Sequence, residues 1–130
     1  MKLNALDHLV LTVADIDATV RFYCDVLGME VQRFTPADGT ERWALKFGAQ
    51  KINLHQLGQE FEPKAKRATA GSADLCFLSD EPMADWLAHL ADHGGRVIEG
   101  PVKRTGAQGA ILSIYLRDPD GNLIEVSNRL

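Results

Sequence analysis

An internal repeat constrains this chain more than any other feature. His8 and Asp74 hold the same place in two strand-like segments, "DHLVLTV" and "ADLCFL", and lie 66 residues apart. Gly28 and Gly94 each close a helical segment at that offset, and Val31 and Val97 open the strand that follows at the same offset again. "INL" at 52–54 answers "IEV" at 124–126 with an offset of 72, so six extra residues are expected in a loop around "KRTGAQGA". Matches that keep one order over four elements point to a duplicated unit.

Each copy reads β-α-β-β-β. In the first, Leu9, Leu11 and Val13 take one face of a strand while His8, Val10 and Thr12 take the other. Asp15 stands where a helix N-cap belongs, Ile16, Val20, Tyr23 and Leu27 recur at helical spacing, and Gly28 ends the helix. Strands are expected near 29–35, 41–47 and 50–56. In the second copy a strand is expected over 73–78, then a helix capped by Asp80 with Pro82 in its first turn. Its apolar stripe is Met83, Trp86, Leu87 and Leu90, its stop is Gly94-Gly95, and strands follow near 96–99, 110–116 and 123–128. Gly58–Ser72 has no period and reads as a connection or lid. The expected fold is a single α+β domain over 1–130. Two tandem βαβββ modules, residues 5–57 and 72–130 joined by 58–71, form a curved mixed sheet with a concave cleft and helices on the outer face.

Near the end of the chain, "DPDG" is a turn signal, with Pro119 presetting φ and Gly121 supplying a positive one. The strand after it, "NLIEV", carries a carboxylate, Glu125, between Ile124 and Val126. A single charge there ordinarily faces water. Strand parity gives it company: the side opposite the apolar residues carries His8 and Thr12 in the first strand, Asn53 and His55 in the fourth, Asp74 and Cys76 in the fifth, and Glu125 and Ser127 in the eighth. The duplication makes His8 the counterpart of Asp74, and Asn53 the counterpart of Glu125. If these faces line one cleft, two imidazoles and two carboxylates suit a divalent ion, with positions left for water or substrate oxygens. His89 and His93 are spaced i, i+4 on the second helix but lie off its apolar stripe and read as surface residues. Lys64, Lys66 and Arg67, with Lys103 and Arg104, read as solvated loops or an anion-binding lid.

The remaining composition excludes more than it suggests. A net charge of −4 speaks against nucleic acid or an anionic membrane as a partner. There is no apolar run near the length of a membrane span, and "MKLNALDHLVLTV" enters a patterned strand without the features of a signal peptide. Cys24 and Cys76 match no metal or redox spacing and are expected as buried free thiols. A cytoplasmic protein is the expectation.

The segment "DHLVLTVADIDATVRFYCDVLGMEV" resembles the opening module of the vicinal oxygen chelate superfamily, the group of the glyoxalases, the fosfomycin- and bleomycin-resistance proteins and the extradiol dioxygenases. "DPDGNLIEV" resembles its final strand. The segment from "ALKFGAQKINLHQLGQEFEPKA" to "GSADLCF" looks most like the subgroup of glyoxalase domain-containing protein 5 and related bacterial virulence proteins. The resemblance covers essentially the whole chain. It implies paired modules, often in a homodimer, around a divalent metal (Mn, Fe, Ni or Zn) that binds a small substrate through adjacent oxygens. Carried over residue by residue, it makes His8 and Glu125 metal ligands, with Glu125 also a candidate proton carrier. Asp74 stands where many members have His, and Asn53 where glyoxalase I-like members have Glu or Gln. His55, on the same face, is expected to complete the ligand set, with Asn53 and Thr12 left for substrate. The implied activity is of lyase, isomerase or dioxygenase type. The alternative is a metal-free protein of the same fold that sequesters a small molecule.

Overall fold

The alternating and helical patterns fold largely where they are written. In the computed structural model, which describes residues 1–130, the first copy yields β1 (His8–Val13), α1 (Ile16–Arg21), β2 (Glu30–Phe34), β3 (Arg42–Phe47) and β4 (Gln50–Gln56). The second yields β5 (Asp74–Leu78), α2 (Met83–Asp92), β6 (Glu99–Gly106), β7 (Gly109–Arg117) and β8 (Leu123–Arg129). The chain divides into two compact units, Met1–Gly71 and Ser72–Leu130. Each has its own four-stranded mixed sheet, in the order β1-β4-β3-β2 in one and β5-β8-β7-β6 in the other. The first and last strands of each unit are parallel and the remaining pairs antiparallel. The tandem βαβββ architecture is thus present, with one mixed sheet per module.

The apolar faces make the cores. Leu11, Val13, Leu45, Ile52 and Leu54 are buried in the first unit together with Tyr23 and Val26; Ile114, Leu116, Ile124 and Val126 are buried in the second with Met83 and Leu90 of α2. Asp15 caps α1 as expected, its carboxylate accepting from the Ala18 amide at 3.2 Å. The helix does not run evenly to Gly28. After Arg21 it widens into a π-helical turn over Phe22–Val26, where the Leu27 amide reaches back five residues to Phe22 O at 3.3 Å. The fully buried residues of this segment are Thr19, Tyr23 and Val26, while Ile16, Val20 and Leu27 are part-buried; the wide turn brings Val26 rather than Leu27 to the inner side.

Two further expectations change. The carboxylate of Asp80 does not cap α2. Pro82 takes the N-cap position without a side-chain bond, and the Ser79 hydroxyl accepts from the Glu81 amide at 3.1 Å and from Trp86 Nε1 at 2.8 Å. The strand expected over 96–99 lies at 99–106. The six extra residues of the second copy form no loop; they lengthen a β-ribbon that turns through Ala107-Gln108, with Gly106 opposite Gly109. β6 and β7 have 8 and 9 residues against 5 and 6 in β2 and β3. The ribbon shifts register between Glu99 and Val102. Gly100 permits this with φ +100, and a Cβ there would collide with Ser113 O.

What ties the parallel pair together in each unit is a side-chain amide at the entry to the last strand, Asn122 just before β8 and Gln50 as the first residue of β4. In the second unit Asn122 Oδ1 accepts from the Ala73 amide at 2.8 Å, while the Leu123 amide donates to Ala73 O at 3.0 Å. In the first, Gln50, which is 72 residues earlier, donates through Nε2 to Leu6 O at 2.8 Å, and the Lys51 amide donates to Asp7 O at 3.4 Å. The second clamp is deeper. Asp118 Oδ2 accepts from Asn122 Nδ2 at 2.7 Å, its Oδ1 accepts from the amides of Asp120 and Asn122 at 2.9 Å each, and Asn122 is 1% exposed. Truncating a buried amide strands its partners, whereas an exposed one is replaced by water. Asn122→Ala is therefore expected to lower the unfolding free energy by about 2–4 kcal/mol, and Gln50→Ala by about 1 kcal/mol or less, in urea titrations.

Candidate functional site

In the first unit the registers settle which residues share a face. Along the parallel pair, His8 lies opposite Lys51, Val10 opposite Asn53 and Thr12 opposite His55. The face predicted from parity is therefore real. His8 and His55 sit four residues apart along it, about 13 Å at 3.3 Å per residue. His8 is exposed at the start of β1, and its Nδ1 meets Asp7 Oδ2 at 2.8 Å. A hydrogen bond from Nδ1–H to that carboxylate leaves Nε2 with the lone pair, the state in which an imidazole binds a metal. Asn53 has a buried Oδ1 with no hydrogen-bond partner.

His55 has a separate environment. It is 9% exposed and stacks edge-on against Phe61, with 5.4 Å between centroids; Arg42 lies over the same phenyl ring at 3.8 Å. Phe61 thus seats the connecting segment on the sheet. Thr12, also buried, is the cross-strand neighbour of His55. Burial, followed by the positive charge of Arg42, pushes the His55 pKa down. The folded state therefore resists protonation at His55 while the unfolded chain does not. Its stability is intact above the ordinary imidazole range and is lost as pH falls through that range toward the depressed folded-state value. Thermal melts of metal-free protein are expected to show His55→Gln losing less stability than the wild type between pH 7.5 and 5.

In the second unit Asp74 lies opposite Leu123 and Cys76 opposite Glu125. This repeats the first-unit register: Asp74 is to Glu125 as His8 is to Asn53. Glu125 is half-buried, and its Oε1 accepts the phenolic hydrogen of Tyr115 at 3.0 Å. Arg104 Nε donates to Tyr115 Oη at 3.1 Å, and Arg104 Nη2 reaches Glu99 Oε1 at 3.3 Å. Glu125, Tyr115 and Arg104 line a hollow of about 490 Å³ whose apolar wall includes Leu78 and Ile111. Cys76 also opens into it, which corrects the expectation of a buried thiol. Both cysteines are free. Burial, followed by the neighbouring Glu125 carboxylate against the pull of a Ser127 hydrogen bond, leaves the Cys76 pKa raised and the thiol protonated.

Tyr115 and Arg104 carry no motif. Arg104 is assigned to a loop on sequence, and only the observed ribbon register sets Tyr115 opposite Glu125 and Glu99 opposite Tyr115. His89 and His93 stack on one another on α2 at 4.1 Å.

No three of the chain's His, Cys, Asp and Glu side chains gather into a set that would hold a metal ion. The donors stand as two half-sets, His8 with Asn53 on the first sheet and Glu125 with Asp74 on the second. Each half-set is made of donor types that divalent ions accept: an imidazole beside a carboxylate and a buried amide oxygen without a partner on the first sheet, and two carboxylates on the second.

Residues 5–126 match the family model described as the Glyoxalase/Bleomycin resistance protein/Dioxygenase superfamily. Among curated proteins, virulence protein STM3117 of Salmonella typhimurium is 57% identical over 127 residues, covering 98% of this chain and 85% of its own length. The glyoxalase domain-containing protein RDO1 of Mycosarcoma maydis is 57% identical over 128 residues, covering 98% and 70%. Among solved structures, an integron cassette protein from the mobile metagenome of V. cholerae superposes with a TM-score of 0.94 at 62% identity, over 100% of this chain and 98% of that one. No helix is long and apolar enough to cross a membrane.

Proposed function

The chain belongs to the Glyoxalase/Bleomycin resistance protein/Dioxygenase superfamily, and on that premise we propose that it is a small divalent-metal-dependent enzyme. It acts on a small substrate with vicinal oxygens, by lyase, isomerase or dioxygenase chemistry. The observation that carries this reading is the shared register of the two modules. The same two positions of each sheet, on the two strands of the parallel pair and offset by two residues, are filled by His8 and Asn53 in one copy and by Asp74 and Glu125 in the other. A polar pair retained at equivalent points of a duplicated sheet is more than a solvated face requires.

In this reading His8 and Glu125 would each be a ligand of a divalent ion, identity Mn, Fe, Ni or Zn, with one or both of His55 and Asp74 as further ligands. Once bound, the ion supplies a Lewis acid for the adjacent substrate oxygens. Asn53 Oδ1, which lacks a partner, accepts a hydrogen bond from a substrate hydroxyl, and Thr12 lines the substrate beside His55. Glu125, if released from the ion, carries the proton between substrate carbons or oxygens. The protein works as a homodimer in the cytoplasm, a placement supported by its two free thiols.

The test is metal analysis of protein supplemented with each of the four metals, alongside His8→Ala and Glu125→Gln. One ion per chain in the wild type, reduced at least tenfold in occupancy by either substitution at equal thermal stability, is the expected result. A metal-free sequestering protein is the second reading, favoured by the neutral Asn53 where the other copy has a carboxylate. It predicts no stoichiometric ion under any of the four supplements. Sedimentation at micromolar concentration is expected to give twice the 14.3 kDa chain mass.

A further inference from the structure

Glu125 is fixed by a chain of groups that the first module does not possess. Tyr115 lies opposite it on β7 and donates to Oε1 at 3.0 Å. A phenol can donate or accept. Here Arg104 Nε, a donor only, fills the acceptor side of the phenol oxygen at 3.1 Å, so the phenolic hydrogen is committed to the carboxylate. Glu99 opposite Tyr115 holds the far end of the guanidinium at 3.3 Å. By register, the counterparts in the first unit are Asn53 for Glu125, Ala44 for Tyr115 and Gln32 for Glu99. Ala44 offers no donor, and Asn53 Oδ1 is left without a partner. The lengthened β6–β7 ribbon is what carries Arg104 to the phenol. The extra residues of the second copy thus have a consequence at the carboxylate.

We propose that Tyr115, directed by Arg104, is a positioning residue for Glu125. It occupies Oε1 and stops the carboxyl group from rotating, so that a divalent ion or the substrate meets Oε2 as a single, fixed oxygen. This rests on the reading of Glu125 as a metal ligand. Positioning partners of metal ligands change affinity by about 10–100-fold when removed. The position is independent of the core: Tyr115 is half-buried and projects from the face opposite the buried Ile114 and Leu116.

The full-length chain, titrated with Mn2+ by calorimetry and with Co2+ followed by visible absorption, tests this in Tyr115→Phe, Arg104→Gln, the double variant and Glu125→Gln. Tyr115→Phe is expected to melt within a few degrees of wild type, to bind Mn2+ about tenfold more weakly, and to alter the intensity of the Co2+ bands as the carboxylate changes its mode of ligation. Arg104→Gln weakens Mn2+ binding less, and the double variant no more than Tyr115→Phe alone, because Arg104 acts through the phenol. Wild-type affinity and an unchanged Co2+ spectrum in Tyr115→Phe, with binding lost in Glu125→Gln, overturn the positioning role and leave the ligand role standing. Wild-type affinity in Glu125→Gln overturns both.

Discussion

The side-chain clamp between Asp118, Asn122 and Ala73 is the constraint on which the second module depends. β5 and β8 are joined through three intervening elements, α2, β6 and β7, and a parallel pair has no tight turn to set its register. A slip of one residue would turn Glu125 into the core and Val126 into the hollow. Asn122 prevents that by bonding the backbone just ahead of Asp74, and Asp118 in turn holds Asn122 and the amides of its own turn. The "DPDGN" segment is therefore more than a place where the chain reverses. Its Gly121, at φ +88, completes a turn whose interior is filled by the carboxylate that anchors the site strand.

The same device in weaker form sets the first module. Gln50 reaches Leu6 from a more exposed position, and duplicated positions of β1 and β4 pair in the same register as those of β5 and β8. Duplication thus preserved geometry while the chemistry diverged. One copy presents an imidazole and an amide, the other two carboxylates. Equivalent strand registers allow such divergence because the residues concerned lie on the sheet faces opposite the cores, where a change of side chain leaves Ile52 and Ile124, both 0% exposed, undisturbed.

This separation also explains how much the sequence could reveal. Period-two alternation read the strand faces because the buried apolar residues of β1, β4 and β8 fall on one side and the part-buried Leu75 and Phe77 of β5 alternate with exposed neighbours, and the shared offsets exposed the two modules. Misses arose where a local rule competed with another. Asp80 has the chemistry of a cap, but Pro82, with φ fixed near the helical value, begins the helix two residues later and Ser79 supplies the oxygen. Leu27 fits a 3.6-residue stripe that one π-turn displaces onto Val26. "KRTGAQGA" has the glycines of a loop, yet two of them flank a two-residue turn within a continuous ribbon. The partners of Glu125 were hidden for the same reason, since pairing across a ribbon depends on register and leaves no mark in the spacing of Arg104 and Tyr115.

A carboxylate on an open sheet face carries two equivalent oxygens and free rotation about its last bond, so it is a poor fixed point for anything that must be held in one orientation. Within the second unit the phenol removes that equivalence by bonding one oxygen, and the guanidinium removes the phenol's own freedom to turn. Each group in the series leaves the next with fewer choices, ending at Glu99 near the bulge that Gly100 makes possible. The backbone irregularity and the lengthened ribbon, which as folding features only disturb a regular sheet, acquire a physical purpose once Glu125 is taken as their end point: they replace side-chain entropy at the site with order supplied by the scaffold.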